Sequence, residues 1–186
     1  MAASSYIEAC SEHRIVRTAT DQGVGASPSW SPPMQDVVKV NVDANWRKGV
    51  GCCHIGFVLR DFSSRYLALR RRQIVASNAL VAEAKGVLEG CVMAKQRGFS
   101  NIVVESDSKE IISWLNGCID QGNWEVFPTL WEIRRGGEDF SSCVWSWIPR
   151  STNRAADYVA SHARAEMCNL VWVQRPLSSF VCALNK

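Results

Sequence analysis

The chain has 186 residues, of which 47% are hydrophobic and 21% charged, and its formal net charge is +3. That length suits one domain with tails, and the composition excludes collagen-like, wholly disordered and coiled-coil chains. No run approaches the roughly 18–20 apolar residues of a membrane helix, and so mild a charge does not by itself argue for a nucleic-acid partner.

The N-terminal MAASSYIEACSEHR carries acids and lacks the apolar stretch of a secretory signal. The eight cysteines include no Cys-x-x-Cys pair. They read mostly as reduced, buried small hydrophobes, so an intracellular protein, nuclear or cytoplasmic, is expected. Residues 1–36 hold Arg14 and Arg17 against Glu8, Glu12, Asp21 and Asp36, leaving the rest of the chain at +5. The Gly-, Ser- and Pro-rich stretch 23–33 has no period, and residues 1–36 are expected to be a flexible tail or linker.

At Val37 the pattern changes. Val38, Val40, Val42 and Ala44 alternate with Lys39, Asn41, Asp43 and Asn45, which predicts a strand with one buried face. Asp43 falls on the face opposite the valines. Gly49 and Gly51 mark a turn, Cys53–Leu59 reads as a second strand, Asp61–Ser64 as a second turn, and Tyr66–Val75 as a third strand. Arg70, Arg71 and Arg72 form a basic run within it, whose ordinary reading is a solvated strand face. Three strands with short turns make an antiparallel meander.

The period then lengthens. Leu80, Ala84, Val87, Leu88, Cys91, Val92 and Ala94 have helical spacing, and Gly98 closes that helix. Asn101–Ser106 is a short buried strand. Helices are predicted from Asp107 to about Asn116 and from Val126 to Arg135, followed by a strand over Ser142–Ile148 and a last helix over Thr152–Glu166. The order predicts an α/β fold: a five-stranded mixed sheet, three antiparallel strands and then crossovers, flanked by helices. The domain is expected to span 37–166, with 167–186 a C-terminal tail that is apolar enough to pack back or to bind a partner.

Four acids stand at notable places. Asp43 lies within the first strand, where aspartate is disfavoured. Glu83 lies early in the first long helix, where a surface glutamate is the ordinary reading. Asp107 ends the fourth strand, where an N-cap completed by Glu110 is the ordinary reading. Asp157 lies one turn into the last helix, where it could simply complement the helix dipole. None is persuasive alone. The eight tryptophans read as core or rim packing before base stacking.

The segments Val40–Asp43, Ala82-Glu83-Ala84, Val104–Ser108 and Asn153–Ala160 resemble the four motifs of type 1 ribonuclease H. They are most similar to the plant-type, reverse-transcriptase-like domain also found at the end of non-LTR retrotransposon polyproteins. The resemblance implies a ribonuclease H-like fold and a hydrolase acting on the RNA strand of RNA–DNA hybrids. It maps the family's catalytic, metal-binding carboxylates onto Asp43, Glu83, Asp107 and Asp157. Two Mg²⁺ ions about 4 Å apart, with Mn²⁺ possible, would activate water and stabilise the leaving oxygen. Glu83 inherits a place near the ribose 2′-hydroxyl, the group that distinguishes RNA from DNA.

The partner implied is a nucleic acid hybrid, bound by a monomer, with no membrane involved. Candidate contacts are Asn45, Arg47, Lys48, Asn78, Lys85, Arg150, Asn153 and Arg154, each of which is otherwise ordinary surface. The chain departs from many members in having no histidine in the loop 148–152, and residues 114–131 contain no Lys or Arg. An alternative therefore stands: a weak or inactive domesticated module that binds nucleic acid or protein. Exonucleases with an Asp-x-Glu first strand are disfavoured by Asp43-Ala44-Asn45, and integrases, whose triad ends in glutamate, by Asp157.

Overall fold

The computed structural model describes residues 29–50, 52–121, 123–161 and 171–173. Its elements are β1 (Val38–Asn45), β2 (Cys53–Arg60), β3 (Tyr66–Ile74), α1 (Ala79–Gln96), β4 (Asn101–Ser106), α2 (Lys109–Asn116), a 3₁₀ turn (Ile119–Gln121), α3 (Phe127–Gly137), β5 (Ser142–Trp147), α4 (Arg154–Ser161) and β6 (Val171–Val173). The five predicted strands form a mixed sheet with flanking helices. Strands β1, β2 and β3 make the antiparallel meander, while β4 runs parallel to β1 and β5 parallel to β4.

The C-terminal segment adds a short sixth strand, β6, antiparallel to β3, so the sheet order is β5-β4-β1-β2-β3-β6. The end of the last predicted helix, residues 162–166, lies outside the described residues, as does His162. Cys52, Cys53, Cys91, Cys118 and Cys143 are free thiols.

The larger core lies on the valine face of β1. Val38, Val40 and Val42 meet Val87 and Cys91 of α1, Ile111 of α2, and Leu130 and Ile133 of α3. Helix α1 starts at Asn78, whose side chain accepts from the Val81 N–H at 2.9 Å. It lies close on β1 because Gly90 faces Val40 and Val42; a Cβ there would stand 2.9 Å from both side chains. The other face carries a smaller core, in which Ala155 and Val159 of α4 pack on Val58 and Leu69.

Two readings of the sequence change at the sheet. The arginine run is not a solvated face. Arg71 is buried against α4, donating to the Ala160 carbonyl, and Arg72 pairs with Glu89 of α1. Alternation across β3 sends Arg71 to the α4 face and Arg70 and Arg72 to the α1 face. Ahead of β1, Trp30 packs on the sheet: its indole N–H donates to Glu105 at 2.9 Å and its ring covers the Arg60 guanidinium at 3.3 Å. Asn41 and Lys39 also bind the Glu105 carboxylate, so this buried acid is fully partnered.

Candidate metal centre

The site forms where β1 and β4, parallel neighbours, end side by side. Asp43, near the end of β1, points away from the valines and is only 3% exposed. Asp107 follows directly after β4. Its carboxylate does not cap α2: the N-cap is Ser108, and the Ser108 N–H donates to Ser106 Oγ. Glu83 comes from α1, two turns before the close approach of Gly90 to β1, and so faces the sheet end rather than solvent.

Oxygens of Asp43, Glu83 and Asp107 all lie within 4.8 Å of one another. Asp157, in the first turn of α4, is not part of that close triad but is near enough to Asp43 to raise its pKa. Helix α4 seats on β2 at Gly56, the partner of Asp43 in the β1–β2 ladder. A Cβ at Gly56 would stand 2.4 Å from the Ala160 nitrogen and 2.8 Å from the Ala156 oxygen. Only glycine admits that contact.

The acids repel one another. Burial first, then the charges of Asp107 and Asp157, raise Asp43 to a pKa of about 7, with a hydrogen bond to Asp107 adding to the rise and Arg150 opposing it. Burial, then Asp43 and Asp107, push Glu83 well above the usual carboxylate range, against a hydrogen bond from the Ala44 N–H. Glu83 Oε2 is buried with no hydrogen-bond partner. An orphaned buried carboxylate oxygen beside two other carboxylates suits a divalent cation: all the donors are hard oxygens, and a cation removes the mutual repulsion. The donor set therefore fits Mg²⁺ or Mn²⁺.

The other candidates separate by position. Asn153, expected among the substrate contacts, is 1% exposed. Its amide instead donates to the Val42 carbonyl at 2.8 Å and to Asp107 Oδ1 at 3.0 Å, tying the start of α4 to both acid-bearing strands. Asn78 is spent on the helix cap and on Glu125, and Lys85 donates to the Val75 carbonyl at 2.7 Å. Arg150 pairs with Asp157 at 3.3 Å and stands beside the acids, its side chain largely in solvent. Asn45 ends β1 half-buried, Arg47 and Lys48 are exposed in the following turn, and Arg154 is exposed at the start of α4.

Two contacts at the rim were not foreseen. The Trp147 indole N–H donates to the Asp107 carbonyl at 3.1 Å, and the Trp46 indole N–H to the Ala76 carbonyl at 3.1 Å. Trp114 and Trp145 pack against the core as expected, while Trp131 and Trp124 stand 54% and 80% exposed.

A mixed sheet with this strand order, flanked by helices and carrying acids at the ends of its parallel strands, defines a ribonuclease H-like fold. Residues 41–163 match the reverse-transcriptase-like family, and the chain belongs to that family. The fold is similar to RNase H1 from the halophilic archaeon Halobacterium salinarum, at 23% identity and a TM-score of 0.61 over 65% of this chain and 92% of that one. It is similar to the N-terminal RNase H domain of a Mycobacterium tuberculosis protein, at 23% identity and a TM-score of 0.62 over 67% and 90%. It is likewise similar to LC11-RNase H1, solved with an RNA/DNA hybrid, at 19% identity and a TM-score of 0.62 over 69% and 97%. No curated protein matches the chain.

Proposed function

We propose that the chain is a metal-dependent endonuclease that hydrolyses the RNA strand of RNA–DNA hybrids. The observation that carries this reading is the convergence of Asp43, Glu83 and Asp107 from two strands and a helix to within 4.8 Å. Those three residues would hold divalent cations, with Asp157 joining from α4. When bound, two such ions supply an activated water and stabilise the leaving 3′-oxygen.

The chain's own groups do the rest. Asp43 must lose its proton for the cluster to bind a cation. Asn153 holds Asp107 Oδ1 and so orients the carboxylate toward its neighbours. Glu83 Oε2, without a partner in the protein, is free to accept from a 2′-hydroxyl or to take part in metal binding. Arg150, beside Asp157 and open to solvent, would meet a phosphate of the hybrid.

One observation favours a second reading, a module that binds without cutting: residues 114–131 offer exposed aromatic side chains at Trp124, Phe127 and Trp131 but no Lys or Arg. Incubation of a labelled RNA–DNA hybrid with Mg²⁺ separates the two. Cleavage of the RNA strand that is lost with Asp43→Asn supports the nuclease. Hybrid binding without cleavage, under conditions where an active RNase H cuts, supports the module.

A further inference from the structure

On the α1 face of β3, away from the acids, a cleft of about 540 Å³ is lined by Arg70, Met93, Gln96, Arg97 and Phe99. Met93 lies ten residues beyond Glu83 on the same helix, roughly 15 Å along its axis at 1.5 Å per residue, so the cleft is separate from the metal centre. Its volume falls within the range of small-molecule sites, roughly 300–1,000 Å³.

The arginine charges are the unusual feature. Of the three arginines on β3, Arg72 is paired with Glu89, and Arg71 is tied to α4. Arg70 has no acidic partner among the described residues, and its Nε is buried without a hydrogen bond. Arg97 caps α1 through its backbone N–H, and its side-chain Nε reaches only the Met93 sulfur, at 3.4 Å. Among the described residues, two guanidinium groups thus share one cleft with no counter-charge, and a buried donor has no hydrogen-bond partner. Such an arrangement costs free energy unless an anion completes it.

The negative end of the α1 dipole lies nearby, but it amounts to about half a charge, against two full positive charges. Guanidinium forks match phosphate oxygens in pairs. Phe99 and Met93 supply an apolar wall, which an inorganic ion would leave unused. We propose that this cleft is a binding site for a small phosphate ester, a phosphate group on a planar or apolar body, of which a nucleoside 5′-monophosphate is the simplest probe.

The test is calorimetric titration of the full chain with adenosine 5′-monophosphate in EDTA, so that no metal bridges the acids. The expected result is a dissociation constant below about 1 mM, weakened at least about tenfold by Arg97→Glu and by Arg70→Gln, and retained by Asp43→Asn. Arg97 is half-buried at a helix end, so its substitution leaves the core intact even if Arg70→Gln lowers stability. Adenosine without phosphate should not bind, and inorganic phosphate should bind more weakly than the nucleotide. The proposal is overturned if the nucleotide binds no tighter than about 1 mM, or if both arginine variants bind as wild type. It is also overturned if the arginines prove necessary only for binding a nucleic acid duplex.

Discussion

Asp43 and Asp157 are both acids of the same motif set, yet their surroundings differ. Asp43 is 3% exposed and belongs to the close triad. The Asp157 side chain is 36% exposed and already held by Arg150. On the proposed function, removing charge from Asp43 takes a ligand from the close triad, whereas removing it from Asp157 takes one from its edge. Asp43→Asn should therefore lower the turnover number on an RNA–DNA hybrid by more than about 100-fold, and Asp157→Asn by about 10-fold. Equal losses, measured at saturating Mg²⁺, would place Asp157 inside the triad.

Asp43 stands out in the sequence because an aspartate interrupts a valine alternation. From the sequence Asn153 reads as a loop residue facing substrate, because only the fold brings it against Val42 and Asp107, both far away along the chain. Nothing in its immediate neighbours signals that burial.

At the scale of elements, the strand and helix order is legible because hydrophobic period is a local property. How closely the elements approach is not, because it depends on single atoms across the interface. Helix α4 can bring Asp157 toward Asp43 only because β2 offers Gly56, with the Ala160 backbone nitrogen 2.4 Å from where a Cβ would stand. The obstacle is backbone, so no side-chain rotation relieves it.

Gly56→Ala should lift α4 from the sheet at a cost of roughly 1–3 kcal/mol, read as a lower denaturant midpoint. Asp157 and Asn153 would be displaced together, and hybrid cleavage should fall with them. Unchanged cleavage at reduced stability would show that α4 contributes packing and not chemistry. The arginine run in β3 illustrates the same limit. Charge pattern alone assigns it to solvent, but Arg71 lies under α4 and Arg72 against Glu89.

For the whole molecule, gathering acids from four segments makes the folded state sensitive to protons and, on the proposed function, to divalent cations. Asp43 has an ordinary pKa of 3.8 and about 7 in the fold, with burial the largest cause. The folded state therefore holds the proton more tightly than the unfolded chain does. Stability from this group is full below about pH 4 and falls as pH rises toward about 7. Glu83 is raised in the same direction.

Among the described residues, His54 and Asp61 shift the other way. Burial, then Arg71, lower the His54 pKa below 6.5, so its contribution rises with pH as that histidine loses its proton. Asp61 is raised by burial but pulled down further by hydrogen bonds from Ser63 and Arg65, so its contribution is lost only in acid below its ordinary 3.8. Comparing wild type with Asp43→Asn between pH 5 and 8 cancels both. In EDTA, Asp43→Asn should gain thermal stability over wild type as pH rises, by about 5 °C or more at pH 8. Millimolar Mg²⁺ should close that gap by stabilising wild type, since a cation bound to the folded acids favours folding by mass action. A gap that stays constant with pH would mean that folding does not raise the Asp43 pKa, and one that Mg²⁺ leaves open would mean that the acids hold no metal.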